Sequence, residues 1–316
     1  MTSSNAQYAP GDAEFKLGDA ASYDSVVHDF DLLTNAYTAP IASQVIVMAE
    51  IGSGGTVLDV GCGTGVLTLL AARDVGPLGR VVGFDLSDGM LAKAGSLAKQ
   101  AQLADRIQFV KGDAERMQFS DASFKSVISL YALRHFPDPE QALREMFRCC
   151  APGGRTLVAV GSAPPLFSTA AIRAAYRKGL DAALRVVGRA PLRATAFLDG
   201  LIEKHLGPDG QPQHAAWTHG VQRYSATVAQ LMARVGYADI RSSWLGQSTT
   251  ITSVEEFWTL QVTLSSHARK RIQAASQREV SGLRAAFNTT CEAHLKKGGQ
   301  LIYRSGALIT TGRRPN

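Results

Sequence analysis

With 316 residues, 45% of them hydrophobic and 19% charged, the chain has enough apolar content to bury a sizeable core and is too apolar for a disordered chain. Its apolar runs stop well short of the roughly 20 residues that a membrane span needs, and the polar first 17 residues contain no apolar stretch of a secretory leader, so a cytoplasmic protein is expected. The net charge of +6 is unevenly divided, with 13 Lys and Arg against 18 Asp and Glu in residues 1–160 and 20 against 9 in the remainder. No arginine-rich cluster interleaved with aromatics marks a nucleic-acid platform, so the basic half reads as a solvated face.

At the N-terminus, Val26, Val27, Phe30 and Leu33, then Ile41, Val45 and Val47, predict two helices over 22–50, broken near Pro40. The short apolar run 56–60 ends in glycine and reads as a buried parallel strand, followed by a helix over 66–75. The alternation then repeats. A strand over 80–86 leads to a helix capped by Ser87 and carrying Met90, Ala94, Leu97 and Ala101. Strands follow at 107–111, 126–131 and 156–160, with a helix over 139–150 before the last of them, closed by Pro152-Gly153-Gly154. Strand and helix alternating at this spacing predict a parallel, doubly wound sheet.

After residue 162 the rhythm changes to a helix-leaning, Arg- and Ala-rich stretch over 163–224, expected to form a cap. Within it His214, Trp217, His219 and Arg223 are candidate acceptor contacts, as is the later helix with Phe257 and Trp258. Residues 225–316 complete the sheet: Ser225 opens a helix that Gly236 ends, a strand follows at 240–245, and a helical pair interrupts at about 253–299. Ser253 and Glu256 have the spacing of a capping box at the start of that pair. The last strand, 301–311, has the alternating pattern of an antiparallel edge. Cys62, Cys149, Cys150 and Cys291 show neither disulfide nor zinc spacing and read as small buried hydrophobes, and no metal is expected.

The chemistry concentrates in Val57-Leu58-Asp59-Val60-Gly61-Cys62-Gly63-Thr64-Gly65, a strand running into a three-glycine turn and a helix. Glycines let the chain bend sharply and let a ligand reach backbone N–H groups at a helix N-terminus, where the macrodipole favours an anion such as a carboxylate. Twenty residues after Gly65, Asp85 ends the next strand, where a carboxylate can accept both hydroxyls of a ribose. Together these features predict an adenosine-containing ligand.

The GxGxG spacing of residues 59–65 resembles motif I of the class I S-adenosylmethionine-dependent methyltransferases. Gly112-Asp113-Ala114-Glu115 resembles their adenine-contacting segment, and residues 130–138, Leu-Tyr-Ala-Leu-Arg-His-Phe-Pro-Asp, resemble the subset that includes the ubiquinone and menaquinone biosynthesis enzymes. The resemblance covers residues 45–162 and implies a Rossmann-like, doubly wound seven-stranded sheet whose last strand is antiparallel, with helical cap insertions. It implies that residues 1–45 cover the donor site and that 46–162 bind S-adenosylmethionine. Gly61, Cys62, Gly63 and Gly65 would shape the methionine pocket and Asp59 would support the turn. Asp85 would hold the ribose, Leu86 and Ala114 would sandwich the adenine beside Gly112, Asp113 would meet its exocyclic amine, and the backbone at Leu130 would take the methionine ammonium.

An acceptor hydroxyl, amine or activated ring carbon can need a base, and His135, just past the fourth strand, is the first candidate; it reads equally as a packing or capping histidine. Tyr23 reads either as a residue closing over the donor or as a packing aromatic. The segment after the fourth strand lacks the Asn or Asp followed by Pro-Pro and an aromatic found in enzymes that methylate adenine or amide nitrogens. The expected reaction is therefore methyl transfer to a carbon or oxygen of a small molecule, quinone-like, aromatic or another secondary metabolite, with N-methylation open. Neither nucleic acid nor a membrane span is expected, and a homodimer stays open. A nicotinamide-dependent oxidoreductase would share the turn and the acid but should carry GxGxxG, and a noncatalytic donor-binding protein would share the whole pocket.

Overall fold

A computed structural model of the chain describes residues 12–165, 168–186, 188–207 and 224–316. Five strands run parallel in the order β3-β2-β1-β4-β5: β1 (Thr56–Val60), β2 (Arg80–Asp85), β3 (Ile107–Lys111), β4 (Phe124–Leu130) and β5 (Cys150–Gly161). Helices α4 (Val66–Asp74), α5 (Asp88–Gln100) and α6 (Pro139–Cys149) connect them. The run 56–60 is buried at four of its five positions because both faces of this sheet are covered. Leu58 and Val60 pack with Val127, Leu143 and Met146, whereas Val57 packs on the opposite face with Val45, Leu67 and Ala71.

The sheet has eight strands where seven are expected, because the two-residue β6 (Leu192–Arg193) pairs parallel with the start of β8. The expected antiparallel edge is displaced as well. Strand β8 (Leu301–Arg313) lies inside the sheet, antiparallel to β5 on one side and to β7 (Ala238–Ile251) on the other. Alternation alone does not separate an edge from an interior antiparallel strand, and burial on both sides of residues 307–311 decides it. Both β7 and the first half of β8 run past the parallel strands: Gly161, the last residue of β5, pairs with Ala307, leaving residues 301–306 as a ribbon above the C-terminal edge of the sheet.

Three helices precede β1 instead of two: α1 (Asp12–Asp24), α2 (Val27–Tyr37) and α3 (Ala39–Ala49). Pro40 sits in the first turn of α3, where its missing N–H costs nothing. The cap is built from α7 (Thr169–Val186) and α8 (Ala196–Leu206), followed after β7 by α10 (Val254–Leu264), α11 (Ser266–Ala274) and α12 (Gln277–Lys296), so the expected helical pair is a trio. Helix α9 (Tyr224–Val235) covers the sheet beside α6 and ends at Gly236, whose φ of 110° closes it as the sequence predicts. The cap has its own core, in which Phe287 meets Phe197, Phe257 and Trp258 at ring-centroid distances of 5.3, 5.8 and 5.0 Å.

Ser276 and Glu279 form a full capping box at α12. At α10 only half of one forms, because the Glu256 carboxylate accepts from the Tyr37 hydroxyl instead of returning to Ser253. All four cysteines are buried and free. No single helix among the described residues is long and apolar enough to cross a membrane, and no group of three or more His, Cys, Asp or Glu among them converges as a metal site.

Phe287 is fully buried at the centre of the cap core. Phe287→Ala is expected to lower stability by about 3–5 kcal/mol in urea denaturation, the cost of an aromatic-sized cavity that its ring neighbours only partly fill. A loss below about 1 kcal/mol would contradict this packing.

Candidate active site

Strand β1 delivers the chain into a turn in which Gly61, Gly63 and Gly65 all have positive φ, at 72°, 54° and 86°. The first and third glycines are dictated by packing: a Cβ on Gly61 would stand 2.2 Å from the Ala132 Cβ, and one on Gly65 would stand 3.2 Å from the Ala94 Cβ. The middle one is different. A Cβ on Gly63 would face only the Phe30 ring at 3.6 Å, so packing leaves room beside this residue. Gly65 caps α4, and the Thr64 hydroxyl beside it is buried without a hydrogen-bond partner.

Asp85 closes the turn from the next strand. Its Oδ2 accepts the Gly63 N–H at 2.8 Å and its Oδ1 accepts the Ser87 N–H at 3.0 Å. Burial raises its pKa, opposed by those backbone donors. Asp59, 1% exposed, accepts from the Thr68 hydroxyl at 2.6 Å, and burial, reinforced by the charge of Asp85, pushes its pKa up to about 7. Among the described residues neither carboxylate is ion-paired with a lysine or arginine, and His135 is the charge that favours ionised Asp85, a setting suited to a positively charged ligand.

The remaining expected donor contacts ring the same edge. Leu86 is half-buried after β2, Ala114 is buried against Phe84 and Val110, and Leu130 is half-buried at the end of β4. Gly112 has a packing reason of its own, since a Cβ there would strike the Phe84 ring at 2.4 Å. Cys62 is buried with its thiol 3.7 Å from the Gly63 carbonyl, and burial pushes its pKa well up, so it stays an unreactive thiol. Asp113 bonds the Glu115 N–H at 2.9 Å and pairs with Lys16 at 2.8 Å.

Lys16 belongs to α1, and that helix is what sequence reasoning missed. One face of it reaches the ends of three strands. Lys16 also pairs with Glu115 at 2.6 Å, Asp19 accepts from His135 Nδ1 at 2.8 Å, Tyr23 bonds His135 Nε2 at 3.3 Å, and Asp24 accepts from the Gly89 N–H at 3.0 Å and from Ser87. Cap helix α11 holds α1 from behind: Lys270 pairs with Asp19 at 2.9 Å, and the buried Arg269 lies over the Tyr23 ring at 4.2 Å while bonding Ser22. The i, i+3, i+7 spacing of Lys16, Asp19 and Tyr23 was the available signal, but it is a polar stripe, and helix recognition followed apolar periodicity.

Candidate residues His135 and Tyr23 are thus brought together, edge to face with centroids 5.5 Å apart. Burial lowers the His135 pKa below that of a free imidazole, partly opposed by Asp19. Burial opposes the charge of Asp19, but His135 and Lys270 outweigh it and hold its carboxyl below the usual range. A neutral imidazole that donates Nδ1–H to Asp19 presents Nε2 as an acceptor, which the Tyr23 hydroxyl and the Arg134 Nε–H both approach at 3.3 Å. Phe257, expected among acceptor contacts, is instead fully buried in the cap core, and Trp258 packs there against Phe287 with Arg284 over its ring. His214, Trp217, His219 and Arg223 lie outside the described residues.

A doubly wound sheet with a positive-φ glycine turn and a strand-end acid at its C-terminal edge defines a nucleoside-binding class I fold. Residues 57–154 match the family model described as a methyltransferase domain. Among curated proteins, the ubiquinone/menaquinone biosynthesis C-methyltransferase of Hahella chejuensis is 38% identical over 157 residues, 48% of this chain and 63% of that protein. The demethylmenaquinone methyltransferase of Lactiplantibacillus plantarum is 32% identical over 146 residues, 45% of this chain and 62% of that one. The matches thus span less than two thirds of either relative. Among solved structures, a Bacillus halodurans protein classed with the methyltransferases aligns with a TM-score of 0.52 at 19% identity, covering 87% of this chain and 99% of that one. Haemonchus contortus phosphoethanolamine N-methyltransferase 2, solved with S-adenosylmethionine, aligns at 0.51 and 16% identity, covering 93% and 57%. At such identities the likeness is one of fold. Residues 57–154 thus match a methyltransferase domain, and the fold around them is that of the class I methyltransferases.

Because the Asp59 pKa is raised in the folded state above the unfolded value of about 3.9, the folded protein binds that proton more tightly and loses stability as pH climbs from about 4 to 7. Asp59→Asn is therefore expected to gain stability over the unaltered protein between pH 5 and 8 by on the order of 2 kcal/mol, read from paired urea titrations. Parallel stability curves across that range would contradict the assignment.

Proposed function

We propose that the chain transfers the methyl group of S-adenosylmethionine to a carbon or oxygen of a small organic molecule with quinone-like or aromatic character. The observation that carries this reading is the glycine turn with Asp85 bonded across it, next to the buried Asp59. Curated relatives named for quinone methylation support the acceptor class. When bound, the cofactor supplies an electrophilic methyl on a sulfonium. The chain's own residues align and desolvate the reactants, the main requirement of an in-line displacement.

In this reading Asp85 accepts the ribose hydroxyls, and the turn beside Gly63, with the Thr64 hydroxyl, receives the amino-acid end. Leu86 and Ala114 flank the adenine, with Asp113 at its rim, and the Leu130 carbonyl takes the ammonium. Asp59 and Asp85 balance the positive charge. Residues 1–45 serve as a cover, because α1 bonds to the segments following β2, β3 and β4 and must shift for a ligand to enter. His135 accepts a proton at Nε2 from the acceptor, directly or through the Tyr23 hydroxyl, and Asp19 steadies the resulting imidazolium through Nδ1–H. Residues 163–224 contribute to the acceptor side, and nucleic acid is not a substrate of this site.

The test is transfer of labelled methyl from S-adenosylmethionine to 1,4-dihydroxynaphthalene, with the product identified by mass spectrometry. Activity should follow an acidic limb lying below the pKa of a free imidazole, because His135 is active when neutral and burial lowers its pKa. His135→Ala should cut kcat about 100-fold or more and abolish that limb, while leaving donor affinity in place. Donor binding without turnover on any phenolic, quinol or amine acceptor would overturn the catalytic reading.

A further inference from the structure

We infer that the Tyr131 and Ser305 hydroxyls form a binding site for the oxygen of a flat, hydroxylated aromatic acceptor, at the C-terminal end of β4. The inference rests on the methyl-transfer reading of the site and specifies its substrate class.

Tyr131 follows β4 directly, and its backbone is left-handed, with φ of 62°. An aromatic residue rarely adopts that conformation, and it persists only where the surroundings hold it. Here the Tyr131 N–H is bonded to the Ala159 carbonyl at 2.8 Å, and the ring lies 3.9 Å from where a Cβ on Gly161 would sit. A phenylalanine would pack equally well in this place, so the hydroxyl needs a separate reason. That hydroxyl is buried and has no hydrogen-bond partner.

A second orphan lies on the ribbon beside it. Side chains alternate across a strand, so Tyr303, Ser305 and Ala307 of β8 share one face, and Ala307 is the residue paired with Gly161. The Ser305 hydroxyl is buried without a partner too. Buried hydroxyls in folded proteins are nearly always satisfied, and two exceptions above one strand edge point to a ligand that satisfies both. Aromatic rings flank them: Tyr303 meets Tyr37 edge-on at 5.4 Å, and Tyr37 is fixed by Glu256 through its hydroxyl and by Gln247 through its carbonyl. Gln247 is the β7 residue that pairs with Ser305.

The local charge selects oxygen over nitrogen. Arg134 acts on both Tyr131 and Tyr303, favouring negative charge there, while burial holds both phenols protonated. Glu256, the carboxylate beside this group, is engaged by Tyr37. Burial disfavours a bare charge there and the Arg134 charge disfavours a cation, so a neutral phenol is welcomed and an ammonium is not. Tyr131 and Ser305 bind and orient the acceptor; they take no proton from it.

The probes are 1-naphthol and, as an oxygen-free control of similar shape, 1-methylnaphthalene, titrated by fluorescence with and without S-adenosylhomocysteine. Tyr131→Phe should weaken 1-naphthol about tenfold and Ser305→Ala about threefold, the effect of losing one hydrogen bond in a dry site. Neither should alter affinity for 1-methylnaphthalene or S-adenosylhomocysteine. The inference is overturned if the unaltered protein fails to prefer 1-naphthol, if Tyr131→Phe binds it undiminished, or if both probes weaken equally. Absence of S-adenosylhomocysteine uptake would instead remove the methyl-transfer reading, and the naphthol comparison without it still decides the hydroxyl pair.

Discussion

The bond on which the rest of this structure depends runs from the Gly63 N–H to the Asp85 carboxylate. It ties the end of β2 to the turn after β1, so two neighbouring parallel strands and the first turn of α4 are fixed against each other at one point. Folding this way places a second carboxylate, Asp59, close enough to raise the cost of charging both. A protein gains nothing in stability from two crowded, buried acids. A positively charged ligand bound beside them would offset part of that cost, and a sulfonium nucleoside with an ammonium group brings two positive centres.

Around that point the molecule is arranged in layers of decreasing regularity. The parallel strands are buried on both faces and supply a rigid floor. Above their C-terminal ends lies a polar rim, where α1 joins the segments after β2, β3 and β4 through Lys16, Asp19, Tyr23 and Asp24. Arg269 and Lys270 then join α1 to the cap. Helix α1 and the cap are thereby coupled through the Lys270–Asp19 ion pair and the cation–π contacts of Arg269 and Lys270 with Tyr23 and Phe15, which are weaker and easier to open than the cores on either side.

Much of the floor was legible from residue order. Runs such as 56–60 are short, apolar and bounded by glycine, and no other element fits them. The glycine turn and Asp85 stand out because spacing along a strand-turn-helix unit translates directly into distance. The rim was not legible, for a physical reason. Lys16, Asp19 and Asp24 earn their places through partners 63 to 251 residues away, and a polar helix stripe has no signature that separates such partners from solvent. Strand β8 was misplaced at the edge because alternation reports one partner face and is silent on the second neighbour. Phe257 and Trp258 illustrate the opposite hazard, aromatics that suggest a ligand and turn out to fill a core. At Gly61 and Gly112, too, the absence of a side chain answers to Ala132 and Phe84.

The central claim is that one ligand spans the turn and the strand-end acid. A crystal structure of the protein soaked with S-adenosylhomocysteine tests it most directly. The account predicts the ribose diol on the Asp85 carboxylate and the homocysteine end against the backbone of residues 61–65, with α1 displaced or rearranged around Tyr23. Density for the ligand elsewhere, or none at saturating concentration with the turn intact, would contradict it.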